Sequence, residues 1–484
     1  MNRVCIPVFL FLCLSCILLL TTLLFADSPA DDTYGATYVD TKHIDLTITV
    51  DYDNERLHGI CQMTFLNPTD KPAIRIPLLL YRLLSVKTIT DAAGHPIPFT
   101  QQIMRYDDFD IQQENFILID LPQPLVPQDS ITISVEYEGA LLGRSEVYGY
   151  VYDHIDPAFT IIRNDCSAFP WVGFPSWAKN RALIFQRYTY RASINVPDSL
   201  VVANGGDLVA KSALDNGRIE YIYKSRRPSW RMDFAVAPYQ RITRGQDAVF
   251  CFPEDTLNAN KILDAMANAK KLYTDWFGPL PHDDGLTVIE IPDDNGSQTD
   301  VTTIIQTAAA FKDEHSMYEF YHELSHKWNV SIIDIPHCRW EEGLACFLQD
   351  LVTEKLEHRP ALDSTISRTM ARLKSSFESK PANRVPMIDY GKQQITGYSY
   401  LVGRVFFYLL YETVGHDDFV KAYGSFFQQY AESETTTEEF YRYFNAQTKT
   451  DVGRLFEEWM YGTEYIDLIV NETPTADILA RYKR

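Results

Sequence analysis

Between residues 40 and 245 apolar and polar side chains alternate with a period of two. Ile44, Leu46, Ile48, Val50 and Tyr52 share one face of a strand, and Asp53-Asn-Glu55 turns the chain. Cys61, Met63 and Phe65 line a second strand, while Ile131, Ile133, Val135 and Tyr137 line a third that stops at Gly139. Successive side chains of a strand point to opposite sides, so this period buries one face of an antiparallel sheet. The segment 40–245 is therefore expected to be an all-β domain.

The period changes near Glu254. Ile262, Met266, Ala269, Tyr273 and Trp276 fall on one helical face, and Gly278-Pro279 ends that helix. A strand is expected at 286–291, a loop at 292–297, and amphipathic helices almost to the end. Asp417 and Asp451 read as N-caps, and Thr436 with Glu439 as a capping box. The second, mainly helical domain is expected to span 246–484.

The start of the chain follows neither period. Arg3 precedes an apolar run at 4–25, and Ala26 leads into the acidic stretch Asp27-Ser-Pro-Ala-Asp-Asp32. A positive start, an apolar core and a small residue before a polar segment read as a secretory signal. The run of 22 residues is also long enough to cross a bilayer as an uncleaved anchor. Residues 1–26 are thus expected to be a signal peptide or membrane anchor, and 27–39 a linker. The rest would lie outside the cytoplasm, whether periplasmic, extracellular or membrane-anchored. No later stretch approaches the ~20 apolar residues of a span.

Charge narrows the partners. The chain of 484 residues has 44 Lys+Arg against 65 Asp+Glu, a net charge of −21. An acidic surface repels phosphate backbones, which argues against nucleic acid. Beyond the leader stand Cys61, Cys166, Cys251, Cys338 and Cys346. So odd and sparse a set is expected to be buried free thiols and not a disulfide framework, although an oxidising compartment would allow one pair.

The segment Tyr321-His-Glu-Leu-Ser-His-Lys-Trp328 carries the chemistry. His322 and His326 are four apart, so on a helix both imidazoles project from one face and can hold one metal ion. Glu323 is turned about 100° from His322, placed to reach a water at that metal without being a ligand. Zinc suits neutral imidazole, lowers the pKa of water and needs a nearby carboxylate to take the proton. A third ligand is available sixteen positions after His326, in Trp340-Glu-Glu-Gly-Leu-Ala345, where Glu342 and Glu341 compete. Leu344, Phe347, Leu348 and Leu351 form a helical stripe that can pack this segment on the first helix, and Gly343 permits close approach. Two histidines, a glutamate and water make an open, catalytic zinc geometry.

These residues resemble the aminopeptidase N family of gluzincin zinc peptidases, sharply so around 322–345 and in order of elements over about 40–465. The resemblance implies an N-terminal antiparallel β-sandwich or saddle domain followed by a thermolysin-like catalytic domain. It favours Glu342 as the ligand beside His322 and His326, with one Zn2+ per chain. In the family 18 residues usually separate the second histidine from the glutamate; here 15 do, residues 327–341. The family's oxyanion-stabilising tyrosine lies in Tyr-Glu-Lys-Gly. This chain reads Tyr398-Ser-Tyr-Leu-Val-Gly403, so Tyr400 matches by its distance to Gly403. Phe456-Glu-Glu-Trp459 resembles the end of the catalytic domain.

Two motifs depart from the family. Where aminopeptidases carry Gly-x-Met-Glu-Asn, whose glutamate binds the substrate's free amine, this chain has Gly296-Ser-Gln298-Thr299-Asp300. The acidic position is Thr299, with Asp300, Asp293 and Asp294 as the nearby substitutes. The β domain also reads Cys166-Ser-Ala-Phe-Pro-Trp171 and lacks the family's glutamine-bearing segment. Only 25 residues follow Trp459, so an open cleft without the family's helical C-terminal cap is expected.

The expected function is an exported zinc metallopeptidase acting on a peptide or protein. Its catalytic residues would be Glu323 and Tyr400, its ligands His322, His326 and Glu342, and its substrate-binding residues Gly296, Gln298, Thr299 and Asp300. The alternatives are an endo- or dipeptidyl-type peptidase of the same fold, or a non-catalytic zinc-containing protein that binds a peptide or partner.

Overall fold

The structure is a computed structural model that describes residues 34–183, 186–312, 317–335, 337–358 and 362–483. The leader expected at 1–26 lies outside the described residues.

The period-two segment forms two large sheets. The seven-stranded sheet runs in the order Asp207–Leu214, Arg218–Lys224, Thr189–Pro197, Asp40–Asp51, Arg56–Leu66, Ser130–Gly139, Leu84–Asp91. Ile44, Leu46, Ile48 and Val50 all face inward, as the alternation requires. They share a core with Ile76, Leu78, Ile117 and Ile119 of a four-stranded sheet, so the two sheets pack face to face. One expectation is corrected here. Asp40–Asp51 pairs in parallel with Thr189–Pro197, so the seven-stranded sheet is not wholly antiparallel. Alternation reports which face is buried and is blind to strand direction.

The catalytic half is built on a mixed five-stranded sheet, Gln240–Arg244, Asp247–Cys251, Thr287–Ile291, Thr303–Thr307 and Gln298–Thr299. The strand Thr303–Thr307 was not expected. It is buried at every position, so it is covered on both faces and shows no alternation. Its antiparallel partner Gln298–Thr299 is a half-buried edge strand of this sheet. A three-stranded sheet joins the halves: Ile161, Ala203 and Ala235 share a core with Phe250, Ile289, Ile291 and Ile305.

Helices pack over this sheet. Helix α1 (Thr256–Phe277) buries Ile262, Met266, Ala269 and Tyr273 and ends at Gly278, φ 85°. Helices α2 (Met317–Ser325), α3 (Trp340–Glu357) and α4 (Tyr398–Val414) carry the site, and α5 (His416–Tyr430) backs them. Thr436 accepts from the Glu439 N–H at 3.1 Å as expected, but the Glu439 carboxylate takes the Tyr430 hydroxyl at 2.8 Å. Asp451 is not the N-cap: that position is Val452, and Asp451 accepts from the Gly453 N–H at 2.9 Å from one residue further out. Asp417 is no cap, because α5 already begins at His416 after Gly415. The five described cysteines are free and buried. Among the described residues no helix is long and apolar enough to cross a membrane.

Candidate active site

Helix α2 is short, and its core side fixes the orientation of the rest. Phe320 and Leu324 are fully buried, and the Tyr273 hydroxyl of α1 donates to the Tyr321 carbonyl at 3.1 Å. After Ser325 the chain tightens into a 3₁₀ turn at His326–Trp328, held by the Trp328 indole donating to the Gly278 carbonyl at 2.9 Å. His326 therefore lies just past the α-helix, yet its Nε2 is 3.2 Å from Nε2 of His322.

Glu342, in the first turn of α3, completes the cluster. Its Oε2 lies 3.4 Å from Nε2 of His322 and 3.4 Å from Nε2 of His326. These three form the one group of His, Cys, Asp and Glu side chains among the described residues that could hold a metal ion. A tetrahedral zinc site with bonds of about 2.0–2.1 Å has ligand–ligand edges of about 3.3 Å, so the three donors match one face of it. Asn329 supports the same reading. Its side-chain amide lies 2.7 Å from His326 Nδ1, and its Oδ1 is buried without a partner. With the amide turned over, Oδ1 accepts from Nδ1–H and leaves Nε2 as the lone pair for a metal.

Glu341 points elsewhere. It faces His337 at 3.6 Å, and burial, reinforced by Glu342, pushes its carboxyl up to about 7. Glu342 is held well below the usual range: burial opposes this, but Arg339 and then His326 outweigh it.

Glu323 is buried beside the cluster, and burial raises its carboxyl while His322 and His326 oppose that rise. Tyr400, on α4, stacks its ring on His322 at 6.0 Å between centroids and 10° between planes. Burial and then Glu342 push its phenol up, and Arg339 opposes them. The helices that carry Glu342 and Tyr400 meet at Gly343 and Gly403. Gly343 thus permits a close approach, but to α4 and not to α2.

The Gly296–Asp300 segment borders a cavity of about 900 Å³ that reaches His322, Glu323 and Tyr400. Much of its polar capacity is already engaged. Gln298 accepts from Arg231 at 2.7 Å and donates to Asp165 at 3.1 Å, across the seam to the β domain. Thr299 donates to the Thr303 carbonyl at 3.2 Å. Asp300 accepts from the Thr302 N–H at 2.8 Å and the Ser229 hydroxyl at 3.2 Å, and its carbonyl accepts from Lys327. Gly296, φ 70°, turns the chain against Tyr150. A second cavity, of about 590 Å³, shares His322, Glu323 and Tyr400 with the first and is also bordered by Asp293, Asp294, Glu319 and Arg404. Asp293 also accepts from the Ala309 N–H at 2.7 Å.

Two residues at the site, Asn329 and Arg339, have no assigned role in the sequence reading. Asn329 stands in Asn329-Val-Ser331, a glycosylation pattern that points to no metal site. Cys346, expected from the sequence as a buried free thiol, lies one turn after Glu342 and borders the smaller cavity with His322. Arg339, three before Glu342, donates to that carboxylate. Its one signal was a basic residue entering an acidic helix N-terminus.

Residues 301–459 match the family profile "Peptidase family M1 domain". No curated protein sequence matches. Among solved structures, the M1 zinc metallopeptidase of Deinococcus radiodurans is similar, with a TM-score of 0.62 at 17% identity over 87% of this chain and 94% of that one. A mutant of that enzyme bound to a Tyr-Ser-Ala substrate has a TM-score of 0.64 at 18% identity, covering 88% of this chain and 94% of that one. A mutant two-domain M1 zinc metallopeptidase bound to L-tryptophan has a TM-score of 0.61 at 18% identity, covering 88% and 95%. The two-domain fold and the M1 domain define a zinc metallopeptidase, a hydrolase of peptide bonds. The matched M1 domain agrees with the resemblance to the aminopeptidase N family, and the solved structures share the two-domain fold.

Proposed function

We propose that this protein is an exported peptidase that binds one zinc ion through His322, His326 and Glu342. Peptide or protein substrates would enter from outside the cytoplasm, with the N-terminal segment as signal or membrane anchor. The observation that carries the metal reading is the triangle of donors at 3.2, 3.4 and 3.4 Å. When bound, zinc supplies a Lewis acid and eases deprotonation of water.

The chain's own residues do the rest. Glu323, buried and with a raised carboxyl, takes the proton of the attacking water and returns it to the leaving amine. Tyr400 donates a hydrogen bond to the oxyanion that forms at the scissile carbonyl. The peptide would lie along the edge strand Gln298–Thr299, in the larger cavity. A peptide substrate also agrees with the likeness to an enzyme bound to Tyr-Ser-Ala.

The aminopeptidase likeness stops at the amine. Thr299 stands where the family's glutamate would, and Gln298 is tied to Arg231 and Asp165. Loss of an amine-pairing carboxylate removes selection for a free N-terminus. This favours an endo- or dipeptidyl-type mode as the second reading. A non-catalytic zinc protein is disfavoured by the buried Glu323, since a structural site has no use for it.

The test measures bound zinc and hydrolysis of free and N-acetylated peptides by the wild type and Glu323→Gln. Cleavage by the wild type alone, with zinc in both, supports the peptidase. Zinc in both with no cleavage across a broad library sinks it. Rejection of every acetylated peptide would restore a strict aminopeptidase.

A further inference from the structure

Glu342 divides its two oxygens. Oε2 faces His322 and His326, each at 3.4 Å, while Oε1 accepts from Arg339 Nη2. The same guanidinium lies over the Tyr400 ring, its carbon 5.7 Å from the centroid, with Nη2 3.4 Å from the Tyr400 hydroxyl. One cation therefore touches both a candidate metal ligand and the candidate oxyanion donor.

The backbone is bent to achieve this. Arg339 precedes α3 at φ 60° and ψ 39°, a left-handed conformation in a residue with a Cβ. Such a conformation costs free energy and persists only where the surroundings over-determine it, which is common at functional sites. Here it turns the side chain back over the start of α3. The long loop from the metal helix thus ends on a residue aimed into the site.

We propose that Arg339 is a positioning residue that holds Glu342 and Tyr400 in one catalytic arrangement. By occupying Oε1 it leaves Oε2 to face His322 and His326, where the residues would hold a metal. Over Tyr400 it fixes the ring and sets a permanent positive charge behind the hydroxyl that meets the oxyanion. That charge matters most when negative charge develops, so it acts on kcat more than on KM. Lysine cannot replace it, because an ammonium is a point charge, whereas the planar fork can bond the carboxylate and lie over the ring together. The catalytic half of this proposal rests on the peptidase reading; the metal half does not.

The test uses the full chain with Arg339→Met and Arg339→Lys, measuring kcat and KM on one peptide and zinc affinity by chelator competition. For Arg339→Met, kcat should fall about 10²–10³-fold, the scale of losing one oxyanion donor, with KM nearly unchanged. Zinc affinity should fall about tenfold, as for other groups that orient a ligand. Arg339→Lys should recover part of the zinc affinity but not kcat. Unchanged kcat and zinc affinity in Arg339→Met would overturn the proposal, as would a loss confined to KM. If Arg339→Met does not fold, Arg339→Lys decides alone: wild-type kcat in it overturns the proposal. If the wild type cleaves nothing, the peptidase reading falls, and the zinc competition still supports or overturns the hold on Glu342.

Discussion

Gly343 and Gly403 meet backbone to backbone: a Cβ added to Gly343 would stand 2.4 Å from the Cα of Gly403, and one on Gly403 would stand 2.8 Å from the Cα of Gly343. The contact lies one residue after Glu342 and three after Tyr400. It therefore sets how far Tyr400 stands from Glu342. Gly343→Ala should push α3 and α4 apart, costing at least the ~1–3 kcal/mol of an overpacked core. Urea unfolding together with residual kcat would check this. A variant with wild-type stability and wild-type kcat would show that the contact sets nothing.

Tyr400→Phe isolates one hydroxyl. The ring can keep its stack on His322, so folding should be preserved. Loss of one donor to the oxyanion should lower kcat about 10²–10³-fold. Steady-state kinetics with a melting curve would read both; an active Phe variant would remove Tyr400 from the mechanism.

Asn329 offers a test of ligand orientation. Asn329→Ala removes the acceptor for His326 Nδ1–H and should weaken zinc binding about 10–100-fold. Asn329→Asp keeps an acceptor and should bind zinc nearly as well as the wild type. Chelator competition ranks the three proteins. Equal affinities would mean that the 2.7 Å contact does not orient the ring.

Glu290 links stability to pH. It is fully buried, its Oε2 accepts from the Phe252 N–H at 2.7 Å, and burial, reinforced by Asp255, pushes its carboxyl up to about 8 from 4.5. Between those values the folded chain keeps a proton that the unfolded chain has released. Its contribution is thus largest below about pH 4.5 and is lost as pH rises through about 8. Glu290→Gln should flatten that decline. Urea midpoints of both proteins between pH 5.5 and 8.5 would show it, and parallel curves would refute it.

Arg231 fastens the β domain to the site. Its guanidinium bonds Asp233 and Asp165 and reaches Gln298 at 2.7 Å, with its side chain only 4% exposed. Arg231→Met would leave buried carboxylates uncompensated, at a cost of about 3–5 kcal/mol. Equilibrium unfolding measures it; a loss below 1 kcal/mol would show that the carboxylates are reached by water or by another cation.

The local periods carried much of the architecture. Alternation placed Ile44 through Val50 on the core, and the helical face of Ile262, Met266, Ala269 and Tyr273 is buried. The spacing of His322 and His326 brings their Nε2 atoms together because four residues make about one turn, a relation internal to one short segment. Thr303–Thr307 escaped, since it is buried at every position and its Thr-Ile-Ile-Gln-Thr sequence shows no alternation. The equally buried Thr287–Ile291 was expected from its largely apolar run.

What the sequence by itself determined is thus the set of relations short enough for the backbone to enforce: strand faces, helix faces and the paired histidines. Recognising Glu342 and Tyr400 needed the family resemblance as well, because each lies on its own helix. Only the tertiary structure decided the rest. It turned Arg339 onto Glu342 and Tyr400, tied Gln298 to Arg231 and Asp165, and set Asp40–Asp51 parallel to Thr189–Pro197. Several of these contacts join residues dozens to more than a hundred positions apart. The Arg339–Glu342 contact spans three residues, but it depends on a left-handed backbone that no sequence period marks. Such contacts are fixed by how packed layers meet, which depends on the whole core and on no local pattern.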